Sequence, residues 1–251
     1  MKIQYCSDLH LEFEHNSKYI AHNRLKKSGE ILILAGDIIP LHDEFFNNSF
    51  FNKIADSYEQ VFWVPGNHEF YYTDIKDYSS SFEIKLKSNV SIVHNKELEY
   101  KGVKFIFSTL WSKISPGREK TIEQGVADYL CILNNGRKIK VKETNILHKH
   151  SVDFIINSLK TLHPNTVVVS HHLPSVLCNA PEHKNSPVNE AFCTDFTELI
   201  KNTNTRFWIY GHSHFNQKPL YIGKTILLTN QLGYVEMNEQ RGYKDNAFFV
   251  L

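Results

Sequence analysis

The chain has 251 residues, of which 41% are apolar, and its formal net charge is +1 at pH 7. This length and apolar content can bury a large core, which predicts one domain over residues 1–251. The near-zero charge gives no field-driven attraction to nucleic acid or to a membrane surface. No signal core, no apolar run near the ~18 residues that span a bilayer and no paired spacing among the cysteines are present, so we expect a cytoplasmic protein with reduced thiols.

Short β-prone runs alternate with helical segments, which is typical of an α/β or α+β layered fold. Near-continuous apolar runs predict central strands that are covered on both faces, namely 2–6, 31–35, 61–64, 105–110, 167–170 and 207–210. Helices are predicted around 43–59, 74–87, 118–131, 142–161 and 195–202. Near the end of the chain, the runs 219–222, 225–229 and 247–251 predict an antiparallel meander.

Residues 112–150 are the least regular stretch and are predicted to be an insertion on the rim. They contain a good hairpin turn sequence, Asn134-Asn135-Gly136-Arg137. Several of their side chains, with others nearby, are candidates to line the mouth of a site: Trp111, Asp128, Tyr129, Arg137, Tyr71 and Tyr72. The alternative is core packing for the rings of Trp111 and Tyr129, and a solvated hairpin position for Arg137.

Residues of the metal-binding types follow five of the six predicted strands, where each strand ends. The clusters are Asp8-Leu9-His10, Gly36-Asp37, Gly66-Asn67-His68-Glu69, His171-His172 and Gly211-His212-Ser213-His214. They contain six of the 14 histidines. Since ligands of α/β sheets bind outside the carboxyl ends of the strands, we expect the clusters to meet there. Each pattern alone also fits an ordinary turn, helix cap or core histidine, but their conjunction indicates a site.

The donor set consists of carboxylates, imidazoles and one amide, without a thiolate. It favours Mn, Fe, Co or Zn over a structural zinc site of the cysteine type. The ligands are too many for one tetrahedral ion but suffice for two ions that share a carboxylate. Two metals roughly 3.5–4 Å apart lower the pKa of a bridging water and hold both oxygens of an in-line displacement, as phosphate-ester hydrolysis requires. The two imidazoles of the H-x-H pair would then serve one ion each.

In this order the five clusters resemble the calcineurin-like metallophosphoesterase superfamily, whose pattern is D-x-H, G-D, G-N-H-[D/E], a later His and G-H-x-H. The segments 7–12 (SDLHLE) and 65–72 (PGNHEFYY) are similar to its small bacterial-type branch. The resemblance spans residues 8–214 and implies a four-layer α/β-β-α sandwich over two divalent metal ions, with Mn favoured.

The resemblance also implies roles for individual residues. One ion would be held by Asp8, His10, Asp37 and His214, and the bridging Asp37 would share a second ion with Asn67, His171 and His212. His68 would not be a ligand, but would face the substrate phosphate and stabilise or protonate the leaving oxygen. His171 is assigned to the fourth block because it is the first residue past the strand, with His172 as the alternative. Candidate substrate contacts are Asn67, His68, His172, Tyr71, Tyr129 and Arg137.

The expected function is therefore hydrolysis of a phosphodiester or phosphomonoester on a small molecule, possibly a nucleotide. A nuclease of the same fold is the first alternative, although the chain lacks a basic stripe for nucleic acid. A non-catalytic scaffold is the second, and the intact motif residues argue against it. The sequence predicts neither the substrate nor the oligomeric state.

Overall fold

A computed structural model of the chain describes residues 1–42, 44–78 and 80–251. In these residues two six-stranded mixed sheets and a two-stranded hairpin are formed. In chain order the strands are β1 (Lys2–Cys6), β2 (Ile31–Ala35), β3 (Gln60–Val64), β4 (Phe82–Lys87), β5 (Val90–His94), β6 (Lys96–Tyr100), β7 (Val103–Ser108), β8 (Leu133–Asn134), β9 (Arg137–Lys138), β10 (Thr166–Ser170), β11 (Thr205–Ile209), β12 (Leu220–Ile222), β13 (Thr225–Leu228) and β14 (Phe248–Val250). The sheet orders are β14-β1-β2-β3-β5-β4 and β12-β13-β11-β10-β7-β6.

Helices cover the outer faces of both sheets. The α-helices of the described residues are α1 (Glu14–His22), α2 (Ser49–Ser57), α3 (Glu119–Gly125), α4 (Asp128–Cys131), α5 (Val141–Lys160) and α6 (Thr197–Lys201). Alternation along the strands produces the layers: Ile31 and Ile33 of β2 face the second sheet, whereas Leu32 and Leu34 pack under α1 and α2. On the other side, Val168 and Trp208 pack under α5 and α6. The result is the four-layer sandwich that the resemblance to the metallophosphoesterases implies.

The parallel strands of both sheets end at the same edge of the sandwich. Parallel pairing joins β1, β2, β3 and β5 in the first sheet and β7, β10, β11 and β13 in the second. A contact across the two sheets marks the common edge, since Nδ1 of His171, after β10, lies 2.9 Å from the carbonyl oxygen of Ala35 in β2. The segments that follow these strands therefore meet, as the rule for α/β sheets predicts.

The six predicted central strands are confirmed, but two other predictions are wrong. Most of the segment predicted as a helix over 74–87 is a 3-10 turn, Ile75–Asp77, followed by strand β4, whose side chains alternate between half-buried and exposed. The predicted meander divides between the sheets, since β12 pairs antiparallel with β13 while β14 joins β1. Asp43 and Ser79, which fall in predicted helices, lie outside the described residues.

Of the remaining predicted helices, one is observed with a shift of one residue and the others are shorter or interrupted. The prediction for 43–59 corresponds to α2, that for 142–161 to α5, and that for 195–202 to α6. The prediction for 118–131 covers α3 and α4, which are separate helices. Among the described residues, none of the helices combines the length and the apolar character needed to cross a bilayer.

Candidate metal centre

The residues that follow the strands bend sharply to turn their side chains inward. Five non-glycine residues of the clusters have positive φ angles: Asp8 (55°), His10 (46°), Asp37 (54°), His212 (78°) and His214 (51°). This left-handed conformation is uncommon outside glycine and costs free energy, and such strain concentrates at functional sites. The fold therefore holds the backbone in an unfavourable conformation at five of the predicted site residues.

The first group of ligand-type side chains consists of Asp8, His10 and His214, which are placed so that they can hold a metal ion. The Nε2 atoms of His10 and His214 lie 3.0 Å apart, and His214 Nε2 lies 3.5 Å from Asp8 Oδ1. The opposite ring nitrogens contact carboxylates, at 3.2 Å for His10 and Glu12 and 2.5 Å for His214 and Glu239. A proton held on each Nδ1 leaves both Nε2 lone pairs free for a cation.

The second group consists of Asp37, His171 and His212, joined by the amide of Asn67. His171 Nε2 lies 3.1 Å from Asn67 Oδ1 and 3.2 Å from His212 Nδ1. Since Nδ1 of His171 donates to the Ala35 carbonyl oxygen, its Nε2 carries a lone pair. In the neutral state of His171, its Nε2 and Asn67 Oδ1 are thus two acceptor atoms that face each other, an arrangement that a bound cation would stabilise.

Asp37 stands between the two groups. Its Oδ2 lies 3.3 Å from His171 Nε2 and 3.9 Å from His10 Nε2, and the side chain is buried. Burial alone would raise the pKa of this carboxyl, but the imidazoles of His171 and His68 outweigh it and hold the pKa well below its usual range. Burial likewise lowers the pKa of His171, yet the charge of Asp37 raises it to about 10. The negative charge of Asp37 therefore favours a positive charge at the centre. A proton on His171 provides that charge here, and a bound metal cation can replace this proton.

Two glycines leave the space that the second group occupies. A Cβ atom at Gly36 would lie 2.2 Å from His171 Nδ1, and one at Gly66 would lie 2.1 Å from Asp37 Oδ1. In addition, His212 Nε2 is buried without a hydrogen-bond partner among the residues that the structure describes. Together with the carboxylate and imidazole donor set, these features fit two divalent ions that share Asp37.

A buried acid outside the two groups fixes the amide of Asn67. Asp128 Oδ1 accepts hydrogen bonds from Asn67 Nδ2 and from the hydroxyl of Tyr71, each at 2.8 Å. The amide oxygen of Asn67 is thereby turned toward His171. The segment 112–150 thus contributes to the centre through Asp128 on α4, and it does so by orienting a ligand-type side chain.

His68 lies beside the Asp8 group and the Asp37 group and belongs to neither of them. Its Nδ1 lies 2.9 Å from Glu12 Oε1, and its ring stacks on Tyr71 with centroids 4.0 Å apart. Burial lowers the pKa of His68, but the charges of Asp37 and Glu12 outweigh it and raise the pKa to about 9. An imidazolium at this position can donate a proton from Nε2, as a general acid requires. His68 with His10 and Glu12 also forms a third group that can hold a cation.

Glu69, the last residue of the 66–69 cluster, braces the two loops that carry Asp37 and Asn67. Its carboxylate accepts hydrogen bonds from the backbone N–H groups of Asp37, Ile38 and Gly66. A fourth comes from the indole N–H of Trp63 at 2.8 Å. Glu69 therefore acts on the centre through the backbone rather than by contact with an ion.

His172 lies beside the Asp37 group but is not one of its ligand-type side chains. Its ring Nδ1 lies 3.2 Å from the carbonyl oxygen of Thr109, and its backbone N–H donates to the same oxygen. The ring packs on His212 with centroids 4.1 Å apart. Burial and the neighbouring His171 lower the pKa of His172 well below its usual range. A neutral, supporting imidazole fits this position.

Replacement of the two adjacent histidines separates their roles. We expect His171→Ala to lose the ion of the Asp37 group and to retain the ion of the Asp8 group, because His171 Nε2 lies 3.3 Å from Asp37 Oδ2, whereas the ring nitrogen Nδ1 of His172 contacts Thr109. His172→Ala should retain both ions and change the kinetics modestly. Metal counting by mass spectrometry on the two purified variants measures this. Loss of an ion from His172→Ala alone would move the ligand assignment by one residue.

Three of the candidate mouth residues have partners outside the two groups. The hydroxyl of Tyr129 lies 2.9 Å from Thr144 Oγ1 on α5, and Arg137 pairs with Glu143 at 2.7 Å. Trp111 is buried and packs on Phe70. These contacts agree with the core-packing alternative for Trp111 and Tyr129 and with the exposed hairpin alternative for Arg137.

Sequence reasoning missed three contributors to the centre, Glu12, Tyr234 and Glu239, and it placed Glu69 in a cluster without its contacts to the backbone. A signal for Glu12 was present, because Asp8, His10 and Glu12 recur at every second position. Glu239 contacts His214 and Tyr234 contacts His68, but no spacing in the chain connects these pairs. They could be found only from the folded arrangement.

Comparison with known proteins identifies the class of this fold and centre. The family model described as calcineurin-like phosphoesterase matches residues 1–216. The chain therefore belongs to this family of phosphoesterases.

Individual relatives cover almost the whole chain. An uncharacterized protein, L509, of Acanthamoeba polyphaga mimivirus is 35% identical over 271 residues, which include 98% of this chain and 95% of the relative. The structure of phosphopantetheinyl hydrolase from Mycobacterium tuberculosis superposes with a TM-score of 0.70 at 18% identity, over 97% of this chain and 93% of that one. The latter likeness supports the fold alone. A dimetal phosphatase from Danio rerio has a TM-score of 0.42 at 14% identity over 92% of this chain and 87% of its own, which supports no argument.

Proposed function

We propose that the chain hydrolyses phosphate esters with two divalent metal ions. The observation that carries the proposal is the position of the buried Asp37 carboxylate, 3.3 Å from His171 and 3.9 Å from His10. Asp8, His10 and His214 would hold one ion with Asp37, and Asn67, His171 and His212 would hold the other with Asp37. When bound, two such ions supply Lewis-acid stabilisation and an activated water for in-line displacement at phosphorus.

Other residues of the protein fix the orientation of the ligand side chains, and one of them would donate a proton. Glu12 and Glu239 fix the tautomers of His10 and His214 through Nδ1, and Asp128 fixes the amide of Asn67. His68, held by Glu12 through Nδ1, would donate from Nε2 to the oxygen of the leaving group. Acid–base groups of this kind contribute roughly 10²–10⁴-fold to the rate.

The substrate we propose is a small phosphomonoester or phosphodiester, possibly a nucleotide, with Mn²⁺ as the favoured metal. Carboxylate, imidazole and amide donors suit Mn²⁺ among the borderline to hard ions. The net charge of +1 gives no general attraction to a long polyanion. A small phosphate ester as the substrate agrees with the donor set of the centre and with the near-zero net charge.

A substrate panel tests the proposal. Purified protein loaded with Mn²⁺ is assayed against nitrophenyl monoesters and diesters, cyclic nucleotides and nucleotide monoesters, with chelator-treated protein as the control. We expect metal-dependent release of product from at least one ester class. Two bound ions per chain with no hydrolysis of any member would contradict an ester-hydrolysing function and would favour a scaffold.

A further inference from the structure

The C-terminal loop, residues 231–239, reaches the centre from outside the region that the family model matches, which ends at residue 216. It provides two side chains there. Glu239 Oε2 lies 2.5 Å from His214 Nδ1, and the hydroxyl of Tyr234 lies 3.3 Å from His68 Nε2. The loop is therefore a part of the site that the family motifs leave undescribed.

The C-terminal loop is fixed in place by specific contacts. The buried side chain of Asn16 on α1 donates to the carbonyl oxygen of Gly233 at 2.8 Å and accepts from the N–H of Val235 at 3.1 Å. Gly233 has a φ of 70°, and a Cβ atom there would lie 2.7 Å from the Cβ of Glu239. Glu239 also accepts from the backbone N–H of Tyr234. These contacts hold Tyr234 at a defined position over the centre.

The ring of Tyr234 covers the Asp8 group. Its centroid lies 4.7 Å from that of His10 and 4.5 Å from that of His214. The half-exposed ring of Phe13 packs edge-on against it at 5.5 Å. The two rings thus form an aromatic wall on the His68 side of the centre, and the hydroxyl of Tyr234 is the polar group of that wall.

We propose that Tyr234 is a substrate-binding residue whose hydroxyl donates a hydrogen bond to the phosphoryl group beside His68. Since Nδ1 of His68 is taken by Glu12, Nε2 is the nitrogen left to face a substrate. The hydroxyl of Tyr234 lies 3.3 Å from His68 Nε2. A phosphoryl oxygen in contact with Nε2 would therefore lie next to this hydroxyl. The inference rests on the proposed function, because it needs a phosphoryl group at the metal centre.

Replacement of Tyr234 by Phe removes the hydroxyl and keeps the ring on His10 and His214. We expect the affinity for inorganic phosphate, titrated calorimetrically into Mn²⁺-loaded protein, to fall roughly 10- to 100-fold, as for loss of a hydrogen bond to a charged oxygen. The ratio kcat/KM should fall by a similar factor, while metal content and the melting temperature stay as in the wild type. Tyr221→Phe, at an exposed position on β12, is the matched control and should change none of these.

The same substitution in a His68→Ala background separates direct contact from an effect through His68. If the hydroxyl touches phosphate, Tyr234→Phe weakens phosphate binding in both backgrounds. An effect that disappears when His68 is absent would overturn the proposal and make Tyr234 a positioning residue. Unchanged phosphate affinity in the wild-type background would overturn it as well. Phosphate binding without any ester hydrolysis would contradict the proposed function alone, since the titration does not depend on turnover.

Discussion

Asp37→Asn should remove most of the activity and weaken the binding of both ions. The carboxylate lies between the two ligand groups, and an amide offers one neutral oxygen where two cations need a shared negative charge. Loss of several kcal/mol of stabilisation at the transition state corresponds to a fall in kcat of about 10³-fold or more. Metal content by mass spectrometry and turnover of the best substrate in the panel measure the two effects.

Asp153→Asn is the control for this substitution, because Asp153 is an exposed residue of α5 that pairs with Lys149 at 2.5 Å. This variant should keep both ions and full turnover. Retention of two ions and full activity by Asp37→Asn would show that another group bridges the metals. Loss of folding can be recognised from the circular dichroism spectrum.

His68→Ala should fold and bind both ions, yet lose activity by roughly 10²–10⁴-fold, the usual contribution of a general acid. The ring contacts Tyr71 and Glu12 rather than the Asp37 group, so its removal leaves those ligands in place. The loss should be smaller for nitrophenyl esters than for alkyl esters, because an acidic leaving group needs less protonation. Steady-state kinetics on a series of leaving groups measures the difference.

His22→Ala serves as the control for His68→Ala, since His22 is an exposed residue at the end of α1. It should leave the leaving-group series unchanged. Equal losses on acidic and basic leaving groups in His68→Ala would indicate that His68 orients the phosphate instead of donating a proton. Loss of an ion in that variant would place His68 among the ligands, in the group that it forms with His10 and Glu12.

The location of the centre could be predicted from the sequence because it depends on local patterns. Continuous apolar runs such as 31–35 and 167–170 identify buried parallel strands. The residues that directly follow such a strand lie at the edge of the sheet. Polar ligands directly after several such strands are therefore brought together by topology. Alternation predicts that the side chains of adjacent His171 and His172 point to opposite sides. In the structure both rings contact His212, and they differ in their nitrogen contacts, which are Asp37 for His171 and the carbonyl oxygen of Thr109 for His172.

Other features depend on contacts that local patterns do not contain. The segment 82–87 (FEIKLK) alternates with a period of two and forms β4, although the helix predicted over 74–87 includes it. Helix α1 begins at Glu14 without a side-chain cap, so no start signal marks it. The pairing of β14 with β1 and the approach of Glu239 to His214 join residues far apart in the chain. Such long-range contacts are set by packing of the whole fold.

The brace made by Glu69 also has a consequence for how mutations combine. Its carboxylate bonds to backbone N–H groups on both the Asp37 loop and the Gly66 loop, so a displacement of one loop is transmitted to the other. Changes at residues that share such a network are energetically coupled and do not add. The two loops therefore form one epistatic unit, in which the tolerance of either ligand position to substitution depends on the state of the other.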